Sequence, residues 1–168
     1  KTHSFDKTII RAYDIRGIYN KTLFDLDAKI IGNLFGLKIG VNKNVNIAYD
    51  GRISSETLKN NLIEGLLEVG TNVTDIGLSP TPLLYFSCLK NNASGGVMIT
   101  GSHNPKEHNG FKFVLNNMPF YGDDLIELSK NSKKFSFKSA NGKRIFKCFK
   151  NDYICLLYTS PSPRDGSE

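Results

Sequence analysis

Val97-Met98-Ile99 runs into Thr100-Gly101-Ser102-His103-Asn104-Pro105, so an apolar stretch ends abruptly on small and polar residues. The apolar part reads as a buried strand. Pro105, with its fixed φ and no N–H to donate, stops the chain from continuing as regular structure. Ser102 is thereby placed on a loop at the carboxyl end of a strand, where ligands collect in open α/β sheets. A hydroxyl there is a candidate nucleophile, but the general serine templates do not fit. The nucleophile elbow G-x-S-x-G needs glycines two residues on either side, and those positions hold Thr100 and Asn104. A Walker loop needs Gly-Lys-Ser/Thr, which Pro105-Lys106-Glu107 does not supply. Neither a hydrolase triad nor a nucleotide loop follows from these residues.

The segments that must position this loop alternate in type. Asp25-Leu26-Asp27, then Ile30, Ile31, Leu34, Phe35 and Leu37, gives an acidic first turn and an apolar stripe at helical spacing. Gly40 supplies the stop, so a helix is expected. Residues 45–49 read as a short strand ending on the turn Asp50-Gly51-Arg52. A second helix, capped by Ser54 or Ser55, carries Leu58, Leu62, Leu66 and Val69 on one face and stops at Gly70. Residues 73–76 form another strand. Ser79-Pro80-Thr81-Pro82 then breaks the chain and starts a short helix through Leu89, with Pro82 in its first turn. Residues 96–100 and 111–115 read as strands, and 123–128 as a short helix. This alternation argues for a three-layer α/β/α domain around a mixed, mostly parallel sheet. The link from Thr100 to Gly110 is too short for a crossover helix, so the strand from Phe111 is expected antiparallel to its neighbour.

A chain of 168 residues holds one domain with a real core, and 39% hydrophobic with 23% charged residues is ordinary for a globular protein. No apolar run approaches the roughly 20 residues of a membrane span. Residues 1–6 lack the apolar core of a signal peptide. Cys88, Cys148 and Cys155 form no C-x-x-C pair, which fits reduced thiols and a cytoplasmic location better than a disulfide framework or a zinc site. The net charge of +6 is local: eight cations and no acids lie between Lys130 and Lys150, and the rest of the chain is slightly acidic. Without aromatic interleaving or a helix-turn-helix signature, this stretch reads as a solvated Lys-rich surface. Neither a nucleic-acid nor a membrane partner is expected. Residues 157–166 carry two prolines and no apolar periodicity, and resemble translated adapter-like read-through. The domain is accordingly expected over residues 1–154, with the basic stretch 130–150 near its end. Residues 155–168 are expected to be a non-native or disordered tail, with a flexible native tail as the competing reading.

Four segments in order carry a resemblance. They are Tyr13-Asp14-Ile15-Arg16-Gly17, Asp50-Gly51-Arg52-Ile53-Ser54-Ser55, Thr100-Gly101-Ser102-His103-Asn104-Pro105 and Asn109-Gly110-Phe111-Lys112. The third resembles the phosphoserine loop of the α-D-phosphohexomutases, and the spacing of all four is similar to that family from about Ile10 to Leu128. The Tyr-Asp-Ile-Arg-Gly and Gly-Ser-His-Asn-Pro forms look most like the phosphomannomutase/phosphoglucomutase branch. The glucosamine branch usually shows Thr-Asp-Gly-Ile-Arg-Gly and Ala-Ser-His-Asn-Pro. One departure stands out: a Gly-Arg-Asp-Gly-Arg pattern is common where this chain reads Ala48-Tyr49-Asp50-Gly51-Arg52. No role for the lost arginine carries over.

The resemblance implies the first domain of an intramolecular phosphotransferase that interconverts hexose 1-phosphate and hexose 6-phosphate. Phosphoserine gives its phosphoryl to the sugar, a hexose 1,6-bisphosphate (also the activator) turns over in the site, and the other phosphate returns to serine. Ser102 would be the carrier. Gly101 lets main-chain donors approach it. Arg16 presents a planar fork suited to phosphate oxygens, with a structural salt bridge as its other reading. Lys112, ten positions after the serine, is either general acid/base or an electrostatic clamp. His103 and Asn104 would orient the phosphate or a proton carrier, and Tyr13 either lines the site or packs in the core. Asp50 and Arg52 are expected to hold their turn together, and His3 and His108 to lie on the surface. The resemblance also implies Mg2+, held between the phosphate on Ser102 and an Asp-x-Asp-x-Asp loop of a second domain. No such spacing occurs in this sequence, where Asp123-Asp124 reads as an acidic helix start. The expected partners are a phosphosugar and the downstream domains. The competing expectation is a folded but inactive phosphate-binding fragment.

Overall fold

The computed structural model describes residues 3–120, 123–131 and 141–159. Helix α1 (Asp25–Ile39) starts where the acidic turn signals it, and the Asp27 carboxylate accepts the Phe24 N–H at 2.7 Å. Helix α2 (Ile53–Glu68) turns Leu58, Leu62 and Leu66 inward, as the stripe requires. The two helices meet backbone to backbone. A Cβ on Gly65 would stand 2.0 Å from the Lys29 carbonyl oxygen, and one on Gly32 would stand 2.2 Å from that of Leu62. Any larger residue there would push the helices apart. The start of α2 differs from expectation: Arg52 is the N-cap, and Ser54 and Ser55 lie inside the first turn. Their hydroxyls are drawn elsewhere, Ser55 donating to Asp50 and Ser54 accepting from Asn109.

The sheet runs β1 (Ile15–Ile18), β5 (His108–Leu115), β4 (Gly95–Ile99), β2 (Asn44–Tyr49), β3 (Asn72–Leu78), β7 (Arg144–Phe146), with β6 (Met118–Phe120) also on β5. Strands β4, β2, β3 and β7 pair in parallel, and β5 is antiparallel to β4, β1 and β6. Among the described strands, β5 therefore runs against all the others, as the short link from Thr100 demands. One face packs Ile47, Val97 and Phe111 under α1 and α2, with Leu125 of α4 (Asp123–Asn131) at its margin. The other face packs Ala48, Ile76 and Met98 under Leu83 and Leu84 of α3 (Thr81–Lys90), joined by Phe149 before α5 (Lys150–Thr159). Cys88 lies in this second core, and burial pushes its thiol up to about 11, so it is an inert packing residue.

Three short strands, β1, β6 and β7, carried no clear signal in the sequence. Strand β7 falls within the basic stretch and changes how part of it is understood. Arg144 reaches Asp75 at 2.9 Å, and the buried Lys59 holds the same carboxylate at 3.1 Å. That cation is an edge-strand anchor rather than plain solvated charge. Residues 132–140 of the basic stretch and 160–168 of the tail lie outside the described residues, and α5 runs across the boundary expected at residue 154. No helix among the described residues is long and apolar enough to cross a membrane.

Candidate functional site

Strands β2 and β4 are parallel neighbours in the middle of the sheet, so Asp50 and the Ser102 loop emerge side by side at their carboxyl ends. Ser102 is exposed with φ at 55°, in the left-handed region that costs a residue with a β-carbon about 1–2 kcal/mol. Its surroundings hold it there. The Ser102 N–H donates to Thr100 Oγ1 at 2.9 Å, and the Thr100 hydroxyl donates to Asp50 Oδ2 at 2.8 Å. The Gly101 N–H reaches the same oxygen at 3.1 Å.

Asp50 is the hub below the loop. Besides Thr100 and Gly101, it accepts the Ser55 hydroxyl at 2.6 Å and the Arg52 N–H at 3.1 Å. Burial pushes its carboxyl up. The Ser55 hydroxyl, the Arg52 N–H, Thr100 and Gly101 outweigh that and hold it below the ordinary 3.8. A depressed folded pKa gives stability that is present above the unfolded value and lost as pH falls through the folded one. We expect Asp50→Ala to cost about 1–3 kcal/mol at neutral pH. The gap to wild type should narrow in urea unfolding below about pH 4. An equal gap at pH 7 and pH 3 would contradict this account of Asp50.

The Arg52 guanidinium lies inside the loop. Nη1 donates to the carbonyls of Pro105 and His108 at 2.6 and 3.0 Å, and Nη2 to those of Ser102 and Asn104 at 2.9 and 2.8 Å. Nε faces Asp50 at 3.3 Å. Gly101 has to be glycine here, because a Cβ would stand 2.2 Å from Arg52 Cζ.

The remaining candidates fall at different depths. Arg16, on β1 opposite Gly110, is buried beneath the loop; Nη1 donates to the Gly101 carbonyl at 3.0 Å and Nη2 to Asp14. Its Nε is enclosed with no hydrogen-bond partner. Asn104 donates its N–H and its Nδ2 to that same Gly101 carbonyl, both at 3.1 Å. Lys112 is half-buried on β5 opposite Met98, two residues from the Gly110 that pairs with Arg16. The pleat therefore puts Lys112 and Arg16 on one face of the sheet. His103 is exposed beside Ser102, and Tyr13 is 73% exposed, so it lies outside the core. Two histidines depart from the surface reading. His3 is part-buried with Nε2 at 2.6 Å from Asp27, and His108 has its Nδ1 enclosed without a partner.

Three residues have larger roles than the sequence indicated. The fan of bonds from Arg52 is one, the bridging hydroxyl of Thr100 another. The third is Asn109, fully buried, whose Nδ2 donates to Ser54 and Ser55 at 2.8 and 2.9 Å and pins the return of the loop to α2. No signal in the chain shows such long-range partners, although Asp50, Arg52 and Asn109 all lie in the singled-out segments.

Among the described residues no group of three or more His, Cys, Asp or Glu side chains is placed to hold a metal. Near the loop, Asp14 is committed to Arg16, and Asp50 to its donors. The residues present do not by themselves fit a magnesium site.

The family model described as phosphoglucomutase/phosphomannomutase, alpha/beta/alpha domain I, matches residues 7–138. A phosphomannomutase/phosphoglucomutase of Pseudomonas syringae pv. tomato is 39% identical over 157 residues, which is 88% of this chain and 34% of the relative. A probable phosphoglucosamine mutase of Thermococcus gammatolerans is 44% identical over 125 residues, 74% of this chain and 28% of the relative. The crystal structure of a phosphoglucomutase/phosphomannomutase family protein from Burkholderia thailandensis superposes with a TM-score of 0.82 at 34% identity, covering 89% of this chain and 35% of that one. The chain thus spans about a third of the length of the relatives it matches. It belongs to the phosphoglucomutase/phosphomannomutase family and corresponds to that family's α/β/α domain I.

Proposed function

We propose that this chain is the phosphoserine-bearing domain of an intramolecular phosphotransferase that interconverts hexose 1-phosphate and hexose 6-phosphate through a bisphosphate. The observation that carries the reading is the exposed, strained Ser102 on a loop whose other groups are tied down around it. Strain of this kind persists only where surrounding structure over-determines it, and it clusters at functional sites. In the proposed transfer, the bond between phosphorus and Ser102 Oγ breaks as a bond to a sugar hydroxyl oxygen forms. The hydroxyl proton leaves to a base. Lys112 would serve as that acid/base or as a clamp for the developing charge, on the sheet face it shares with Arg16. Arg16 would act by fixing Gly101 from below, and His103 would orient the phosphate from the rim. Tyr13, exposed, would face the substrate. Magnesium belongs to this reading only with carboxylates from outside this chain. A cytoplasmic location and a phosphosugar substrate go with it.

Joined to the downstream domains of a phosphomannomutase/phosphoglucomutase relative, the chain should support conversion of glucose 1-phosphate to glucose 6-phosphate. Ser102→Ala should abolish that conversion. Full conversion by the Ser102→Ala chimera would overturn the reading.

A further inference from the structure

We infer that Arg52 is a positioning residue: by drawing the carbonyls of the Ser102 loop inward, it sets how readily Ser102 exchanges a phosphoryl group. The inference rests on the reading of Ser102 as phosphoryl carrier and adds a residue that acts through the loop.

A guanidinium has five N–H donors in a fixed fork. Here all five are spent: four on the carbonyls of Ser102, Asn104, Pro105 and His108, and one on Asp50. Arg52 therefore has no donor left for a phosphate on the substrate. Its effect has to pass through the backbone it holds. The Gly101 carbonyl is also turned inward, onto Arg16 and Asn104. The negative ends of five peptide dipoles thus face guanidinium and amide donors inside the loop. A phosphoserine brings roughly −1.5 to −2 charge at neutral pH, and carbonyl oxygens turned toward it would repel it. Keeping Ser102 at φ 55° needs the carbonyls on either side fixed: Arg16 and Asn104 hold that of Gly101, and Arg52 holds that of Ser102.

Lysine cannot replace this arrangement. It offers a point charge with three donors, which cannot bridge four carbonyls spread over residues 102–108. Arg52 is anchored for the task by its own backbone. It caps α2, its N–H bonds Asp50, and Gly101 leaves the space its Cζ occupies.

The test follows phosphorylation of this chain by glucose 1,6-bisphosphate, using intact-mass spectrometry over time at several bisphosphate concentrations. Arg52→Lys and Arg52→Met should lower the maximal rate about 100-fold, the scale expected for misplacing a reacting group by about an ångström. The half-saturating concentration should move by less than about threefold, since no substrate contact is lost. Amide hydrogen exchange over residues 102–108 should quicken while the core strands keep their protection. An Arg52→Lys rate equal to wild type would overturn the inference. So would a large rise in half-saturation at unchanged maximal rate, because Arg52 would then bind substrate itself. If wild type takes no phosphate either alone or joined to the downstream domains of a relative, the reading of Ser102 fails. Arg52 is then judged on exchange alone: faster loop exchange in Arg52→Lys upholds its hold on the carbonyls, and unchanged exchange refutes it. Should Arg52→Met unfold, Arg52→Lys decides by the same measures.

Discussion

Given glucose 1-phosphate, magnesium and glucose 1,6-bisphosphate, this chain alone is expected to form no detectable glucose 6-phosphate. Phosphate-monoester chemistry is so slow uncatalysed that enzymes handling it reach accelerations of up to ~10²¹-fold. Such factors need donors preorganised around the transferring group and a site closed against water. This chain has the loop, Lys112 and Arg16, but Ser102 and His103 are exposed, and the groove beside them is open. That groove, about 650 Å³, is lined by Asp50, Arg52, Ile53, Asn104, Lys106 and Glu107, and the Ile53 side chain is fully exposed there. A bisphosphate formed on such a surface would leave before it could turn over. A coupled dehydrogenase assay checks this. Turnover that scaled with chain concentration and vanished in Ser102→Ala would show that one domain suffices.

A single phosphoryl transfer to the chain is a smaller demand than turnover, and Ser102→Ala is expected to abolish it completely. No neighbouring hydroxyl can take over. Thr100 donates to Asp50 while accepting the Ser102 N–H, Ser55 donates to Asp50, and Ser54 is buried on Asn109. The substitution should leave the fold intact. Ser102 is exposed, its backbone N–H bond survives, and alanine bears the same left-handed strain as serine. Its stability should stay within about 0.5 kcal/mol of wild type. Loss of phosphate uptake in Ser102→Ala would then report chemistry, since unfolding is excluded by an unchanged melt.

Helices α1, α2 and α3 were legible because each shows an apolar stripe with a stop or breaker beside it, as at Gly40 and Pro82. The sense of β5 was legible from loop length alone, since the span from Thr100 to Gly110 cannot cross over the sheet. Strands β1, β6 and β7 were not. Each has three or four residues, too few for alternation to show, and β1 contains Arg16 and Gly17, which read as motif rather than strand. Strand β7 is exposed along its length, so its apolar residues Ile145 and Phe146 gave no buried face to recognise.

The site was legible at Ser102 and Gly101, where the break from apolar strand to Gly-Ser and the stop at Pro105 mark a loop. What holds the loop was not. Arg52 reaches carbonyls about fifty residues away, and backbone acceptors leave no trace in side-chain identity. Arg16 reads in sequence either as a fork for phosphate or as a salt-bridge partner, and its guanidinium is buried on Gly101 and Asp14. Burial and partner choice are set by the β1–β5 pairing, which a four-residue strand does not announce.

Incubating the chain with glucose 1,6-bisphosphate and mapping the phosphate by peptide mass spectrometry tests Ser102 most directly. The expected result is one phosphoryl group, on the peptide carrying Gly101-Ser102-His103, that disappears in Ser102→Ala. Phosphate found on another residue, or retained at wild-type level in Ser102→Ala, would contradict the assignment of Ser102 as the carrier.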